Sequence, residues 1–238
     1  MSLDKEPLWA TGPGEILRHG VSLLNDDIDS NRRLALISID NAVELMLQTY
    51  ITLPERVTGL ELTRKTREEI CKNFPSLLDG IEKHASDKII GLELGEIEWF
   101  HRLRNNLYHQ GNGLTVVRTQ VELYAEIAQK LFESLFGIEL DIDDTRNMHK
   151  FGAFMDEWIK IEKSLVTLSG QRTSYPNTTV VRDLIQSGVI TKTQATQIAE
   201  LRLIRNNLVH GKTEPKIALS KKVLDTAQQI ANILATIL

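Results

Sequence analysis

One cysteine, Cys71, stands alone among 238 residues, so an internal disulfide is excluded and a reducing compartment such as the cytoplasm is the expected location. His19, His84 and His149 lack the spacing of metal ligands, and Cys71 cannot complete a set with them, so no metal and no cofactor is expected. The chain has no glycine-rich phosphate loop of the Walker type and no serine nucleophile elbow. Both absences argue against nucleotide hydrolysis of that kind and against serine-hydrolase chemistry. No apolar run approaches the length of a membrane span, and the first 14 residues lack the basic start and apolar centre of a secretory signal. No membrane partner is therefore expected. Strand-like alternation is scarce, and the net charge of −4 argues against a surface that is basic throughout. A local basic groove is still compatible with that total, because contacts to nucleic acid depend on clustered charge.

What is present is helical periodicity. The pattern predicts a long helix from Asn31 to about Thr52, with Leu34, Ile37, Ala42, Leu45, Met46 and Tyr50 so dense that burial on more than one face follows. Pro54 ends it. A polar helix is expected over 63–73, with Pro75 breaking the pattern after it. A third helix over 94–109 carries Phe100, Leu103 and Leu107 as its buried stripe, and Gly111 and Gly113 mark the loop beyond. A fourth, over 116–136, turns Val117, Val121, Tyr124, Ala128, Leu131 and Leu135 inward. Gly137 to Asn147 is the expected joint between domains, and its acidic stretch Asp141-Ile142-Asp143-Asp144 suits a solvated connector. The second half repeats the plan more briefly: a helix over 151–168, a polar loop over 169–178, a short helix over 180–187 closed by Gly188, a helix over 191–210, and a terminal helix over 217–238. The expectation is all-α, with one helical domain over 15–138 and a second over 148–238.

Within this repetition one segment recurs almost letter for letter. Arg104-Asn105-Asn106-Leu107-Tyr108-His109 returns as Arg205-Asn206-Asn207-Leu208-Val209-His210, and each copy follows a leucine-rich helical run. Leu201, Ile204 and Leu208 fall where Phe100, Leu103 and Leu107 fall in the first copy. Arginine holds a phosphate through planar, permanently charged donors, and histidine exchanges a proton near neutral pH. Asn105 and His109 share a helix face, as do Asn206 and His210, while each Arg is turned about 100° from its Asn neighbour. Each His lies where its helix is expected to stop, and the negative end of a helix dipole favours a cation there. Within one copy Arg and His do not converge well. Two copies facing each other would bring two of each into one groove.

An all-helical domain with Arg-Asn-x3-His at the end of its third helix resembles the HEPN superfamily, and both halves carry the pattern. The resemblance implies two tandem antiparallel four-helix-type bundles packed as an intramolecular pseudo-dimer. It implies a composite, metal-independent ribonuclease site in which Arg104 and Arg205 hold the scissile phosphate. His109 and His210 would act as general acid and base, and Asn105 and Asn206 would support them. The reaction would be attack by the RNA 2′-hydroxyl on the adjacent phosphorus. Toxin–antitoxin and antiviral defence settings are common in the superfamily. The resemblance therefore extends to an antitoxin or defence-system protein as a partner. Pairing of the motifs between two chains, in a homodimer, is open as well. So is the alternative of a non-catalytic module that binds RNA, a nucleotide or a partner protein.

Supporting residues are expected nearby. Glu44 in the first helix and Glu162 in the corresponding helix of the second half sit in similar apolar settings, where a buried carboxylate would fix a motif arginine. Arg102, Arg202 and Lys212 are candidates for tracking an RNA backbone. Tyr108 can stack on a base. The same residue types also have a purely structural use: Arg and Asn near a helix end bind carbonyls, His caps its own helix, and charges line a solvated face.

Overall fold

The computed structural model describes residues 7–110, 115–140, 142, 148–170 and 178–238. Among these it contains no strand and twelve α-helices. They are α1 (Leu8–Ser22), α2 (Asp29–Thr52), α3 (Glu55–Thr58), α4 (Arg64–Ile70), α5 (Phe74–His84), α6 (Leu94–Gln110), α7 (Arg118–Phe136), α8 (Met148–Ser169), α9 (Thr178–Gln186), α10 (Lys192–Val209), α11 (Pro215–Ala218) and α12 (Lys221–Ile237). The protein is an all-α helical bundle protein. Contacts divide it into two units, one comprising residues 1–89 and 94–145 and the other residues 90–93 and 146–238. The expected loop at Gly111 and Gly113, residues 141 and 143–147 of the expected joint, and residues 171–177 of the expected polar loop lie outside the described residues.

In the first unit α2 is the central element. It packs against α1, α5, α6 and α7, and Ala35, Leu36, Ile39, Val43, Met46, Leu47 and Ile51 have no exposed surface. Leu34, expected inward, is 50% exposed instead. Among the described residues α2 is the one helix whose length and composition would allow it to cross a bilayer, a property not picked out from the sequence. Helices packed on several of its sides account for that composition.

Helix α1 was not expected, because Gly12, Pro13 and Gly14 discourage a helix by local preference. Packing overrides them. Pro13, Gly14, Leu17 and Val21 are buried, and a Cβ at Gly20 would come within 2.9 Å of Ile39 Cγ1 on α2. Pro75 likewise does the opposite of what its breaker character suggests. It occupies the first turn of α5, where its missing N–H costs nothing, behind an Asn73 cap whose Oδ1 accepts from Ser76 N–H at 2.9 Å. Val117 is 58% exposed rather than inward, since it is the extended residue just before α7. Val121, Tyr124, Ala128, Leu131 and Leu135 of α7 are buried. One arginine ties α4 back to α2: Arg67 of α4 donates to the carbonyls of Ile51 and Leu53 at the end of α2 and to those of Leu60 and Leu62.

In the second unit α8 packs on α12 and α9, and α10 packs on α12, α9 and α11. Thr191 opens α10 with a capping box: its Oγ1 accepts from Gln194 N–H while Gln194 Oε1 accepts from Thr191 N–H. The expected terminal helix is broken in two, with Pro215 starting the single turn of α11 and Ser220 capping α12. The short segment 90–93 belongs to this unit. Gly91 has φ +85°, and a Cβ there would lie 2.9 Å from the Cα of Ile159 on α8.

Candidate active site

The first motif is built around a carboxylate that the sequence did not single out. Asp40 lies in the apolar stripe of α2, at a position between Leu36 and Val43 that would otherwise hold a core aliphatic, and it has no exposed surface. Buried carboxylates persist where donors surround them. Three donors do so here. Tyr124 of α7 donates its hydroxyl to Oδ1 at 2.8 Å, His101 Nδ1 of α6 is 2.9 Å from Oδ2, and Arg104 Nε forms an ion pair with the same oxygen at 3.4 Å. Burial, and then the charge and hydrogen bond of Asp40, push the Tyr124 hydroxyl well above its ordinary value of 10.0, so it stays a donor. Aromatic neighbours fix the rings: Tyr124 stacks on Phe100 at 4.2 Å, and His101 stacks on Phe74 of α5 at 3.7 Å with 7° between planes.

Arg104 completes the cluster. Its terminal nitrogens donate to Asn105 Oδ1 at 2.9 Å and Asn41 Oδ1 at 2.6 Å, and 20% of its side chain stays exposed. Its guanidinium also lies 5.6 Å from the ring centre of Tyr108, which is 67% exposed and packs edge-on to His109 at 5.5 Å. His109 is exposed at the end of α6. Glu44 does not fill the role expected of it. It accepts from Gln48 along its own helix at 3.2 Å, and the partner of Arg104 is Asp40 one turn earlier, because α6 meets this face of α2 at the level of Asp40 and Asn41.

The second motif has a related plan with different occupants. Glu162 on α8 is buried and accepts from Arg202 at 2.9 Å, while Arg202 lies 5.6 Å over the ring of the buried Trp158. The residue three positions before the motif arginine therefore bonds the buried acid in both units, His101 to Asp40 and Arg202 to Glu162. Arg205 itself has no exposed surface and pairs with Glu93 at 3.1 Å. Glu162 thus braces the motif helix through Arg202, with the charge of Arg205 also favouring its ionised form. Burial outweighs both arginines and raises the Glu162 carboxyl above its ordinary 4.5, and the charge of Glu93 adds to that rise.

The expected RNA contacts separate accordingly. Arg202 is committed to Glu162 and Trp158, which removes it from an open groove. Arg102 is 70% exposed but pairs with Glu98 one turn away, and Lys212 is exposed. Asn206 Oδ1 is screened from solvent with no hydrogen-bond partner among the described residues, unlike Asn105 Oδ1, which holds Arg104. His210 is the exposed C-cap of α10, followed by Gly211 at φ +66° and a Lys212 N–H that returns to the Asn207 carbonyl at 2.8 Å. No group of three or more His, Cys, Asp or Glu side chains placed to hold a metal ion occurs among the described residues. No protein-family model matches the chain, and neither a curated protein nor a solved structure matches it.

Proposed function

We propose that this protein is a HEPN-type endoribonuclease that cleaves RNA without a metal ion, by attack of a 2′-hydroxyl on the neighbouring phosphorus. The observation that carries this reading is the Arg104 guanidinium. A buried carboxylate and two asparagine amides hold it in place, yet it keeps an exposed edge beside the solvent-facing ring of Tyr108. Such a cation is preorganised for a phosphorane, the five-coordinate state in which negative charge gathers on phosphorus oxygens. Asn41 and Asn105 yield their place to phosphate oxygens, and Tyr108 offers a face to an unpaired base. His109 and His210, exposed at the ends of their helices, supply proton transfer. In the proposed pseudo-dimer the two bundles bring their motifs to one groove, and an RNA toxin or antiviral effector is the setting this chemistry fits.

A second reading rests on Arg205. Its full burial and its pairing with Glu93 favour a structural use of the second motif, and with it a non-catalytic module that binds RNA, a nucleotide or a partner protein. Incubating the purified chain with mixed RNA in EDTA separates the two. The nuclease reading expects fragments ending in 2′,3′-cyclic phosphate, and loss of cleavage in both His109→Ala and His210→Ala. Intact RNA that is nonetheless retained by the protein supports the binding module.

A further inference from the structure

We infer that His101, which lies outside the repeated motif, is the group that removes the proton from the attacking 2′-hydroxyl. The inference rests on the nuclease reading above and assigns one of its steps. Asp40 is a carboxylate engaged on both oxygens, Oδ1 accepting from the Tyr124 hydroxyl at 2.8 Å and Oδ2 facing the Arg104 guanidinium in an ion pair at 3.4 Å. The proton in the 2.9 Å contact between Asp40 Oδ2 and His101 Nδ1 therefore belongs to the imidazole. That leaves Nε2 as the acceptor of the neutral ring. Nε2 has no hydrogen-bond partner among the described residues and is not buried. The ring cannot swing away, being clamped flat on Phe74 at 3.7 Å. A buried carboxylate that orients an imidazole and leaves its far nitrogen free is the arrangement of a general base.

Helix geometry separates His101 from the motif histidine. His101 precedes Arg104 by three residues, so the two lie about 60° apart around α6 and about 4.5 Å apart along it. His109 follows Arg104 by five residues, about 140° around and about 7.5 Å further on. His101 and Arg104 converge on one side of the helix, joined through the same Asp40 oxygen. His109 is the group that diverges. The proton balance follows from this placement. Nε2 of His101 takes the 2′-hydroxyl proton as the oxygen forms its bond to phosphorus. The bond to the 5′-oxygen breaks, and that oxygen takes a proton from a motif imidazole. Deprotonation of His101 and reprotonation of the motif histidine by water restore the site.

The second unit supplies the control. Its equivalent position is Arg202, which makes the same 2.9 Å bond to a buried acid and stacks on an aromatic ring, but a guanidinium does not exchange protons at neutral pH. A bond at this position therefore serves the fold in both halves, and only the first half has a base there. His101→Arg copies the second unit and is expected to fold while losing the step. His101→Gln removes the charge as well.

The experiment uses the full chain, single-stranded RNA in EDTA, and a matched oligonucleotide whose scissile 5′-oxygen is replaced by sulfur, a leaving group that departs without a proton. His101→Arg and His101→Gln are each expected to lower cleavage by about 10²- to 10⁴-fold with oxygen and with sulfur alike. His109→Ala is expected to lose cleavage of the oxygen substrate and regain most of it on the sulfur one. Wild-type-like cleavage by either His101 variant, or its rescue by sulfur, overturns the assignment. So does a nitrogen-15 spectrum of the wild-type protein in which neutral His101 carries its proton on Nε2, a readout independent of whether the variants fold. If wild type cleaves and His109→Ala does not, a normal His101 variant removes this inference alone. A wild-type chain that cleaves nothing removes the nuclease reading, and this step with it.

Discussion

Replacing Asp40 by alanine removes the carboxylate that Tyr124, His101 and Arg104 share, and the losses at Tyr124 and Arg104 set a lower bound on the cost. The Tyr124 hydroxyl has no access to water and would lose its acceptor, at about 1–3 kcal/mol for an unsatisfied buried group. Arg104 would lose its only carboxylate partner among the described residues. Removing one member of a buried ion pair costs about 3–5 kcal/mol, but 20% of Arg104 is exposed and Asn41 and Asn105 still hold it, so the lower part of that range applies or less. A total near 4 kcal/mol is expected, which for a chain of this size lowers the melting temperature by about 8–16 °C. Glu44→Ala supplies the contrast. Glu44 lies one turn along the same helix but is only half-buried, and its hydrogen-bond partner among the described residues is Gln48 alone, so less than about 1 kcal/mol is at stake. The assay is urea and thermal denaturation of both variants followed by circular dichroism, with a double-mutant cycle between Asp40→Ala and Tyr124→Phe. The cycle should show coupling of about 1 kcal/mol or more, because the two deletions remove the same contact. Equal melting of the Asp40 and Glu44 variants, or no coupling in the cycle, would refute the placement of Asp40 at the centre of the site.

Three further outcomes follow from the same structure. Arg67→Ala removes donors from four backbone carbonyls around the end of α2 and should cost about 2–4 kcal/mol, with Arg67→Lys recovering less than half because one ammonium cannot reach all four; chemical denaturation measures both. Glu162 has its folded-state carboxyl raised above 4.5, so in the window above that value the native state binds more protons than the unfolded one. Its contribution to stability therefore falls as pH rises through the window and levels off above the raised value. Denaturation of wild type and Glu162→Gln from pH 4 to pH 8 should show that slope in wild type and its loss in the variant, and a difference of opposite sign would count against it. Tyr108→Ala should leave the melting temperature within about 1 °C, since the ring is 67% exposed. It should weaken binding of single-stranded RNA by about 1–3 kcal/mol, the worth of one stacked base, as read by fluorescence anisotropy.

Most of the helices could be read from periodicity, because each long one buries a stripe that its own residues announce. Phe100 and Leu107 on α6 and Leu201 and Leu208 on α10 are buried where the spacing put them. What could not be read was decided by tertiary partners. Gly12, Pro13 and Gly14 look like a breaker until Gly20 is seen to let α1 close on Ile39. Pro75 looks like a stop until Asn73 is seen to cap the helix it begins. Locally, these signals point the other way, and only the packing resolves them.

The site divides along the same line. The motif arginines, asparagines and histidines stand out because they are repeated, but repetition says nothing about the acids that hold them. Glu44 was a reasonable partner by position alone, yet Asp40 is the residue that sits inside the apolar stripe, between Leu36 and Val43, where a charge is costly unless donors meet it. A carboxylate at a core position is thus a better guide to a buried network than one at its edge. The same principle explains why two nearly identical hexapeptides end in different environments. Each helix bonds its acid through the residue three before the motif arginine, and that residue differs, His101 in one and Arg202 in the other. With histidine there, the acid has charge to spare for Arg104, which shares the same oxygen and keeps an exposed edge. With arginine there, the acid is already paired, and Arg205 turns to Glu93 and is buried. Exchanging the two, His101→Arg with Arg202→His, should therefore shift exposure from the first motif arginine toward the second. Chemical labelling of each guanidinium by an arginine-selective dicarbonyl would detect this, and unchanged labelling of both would show that something other than this position sets their burial.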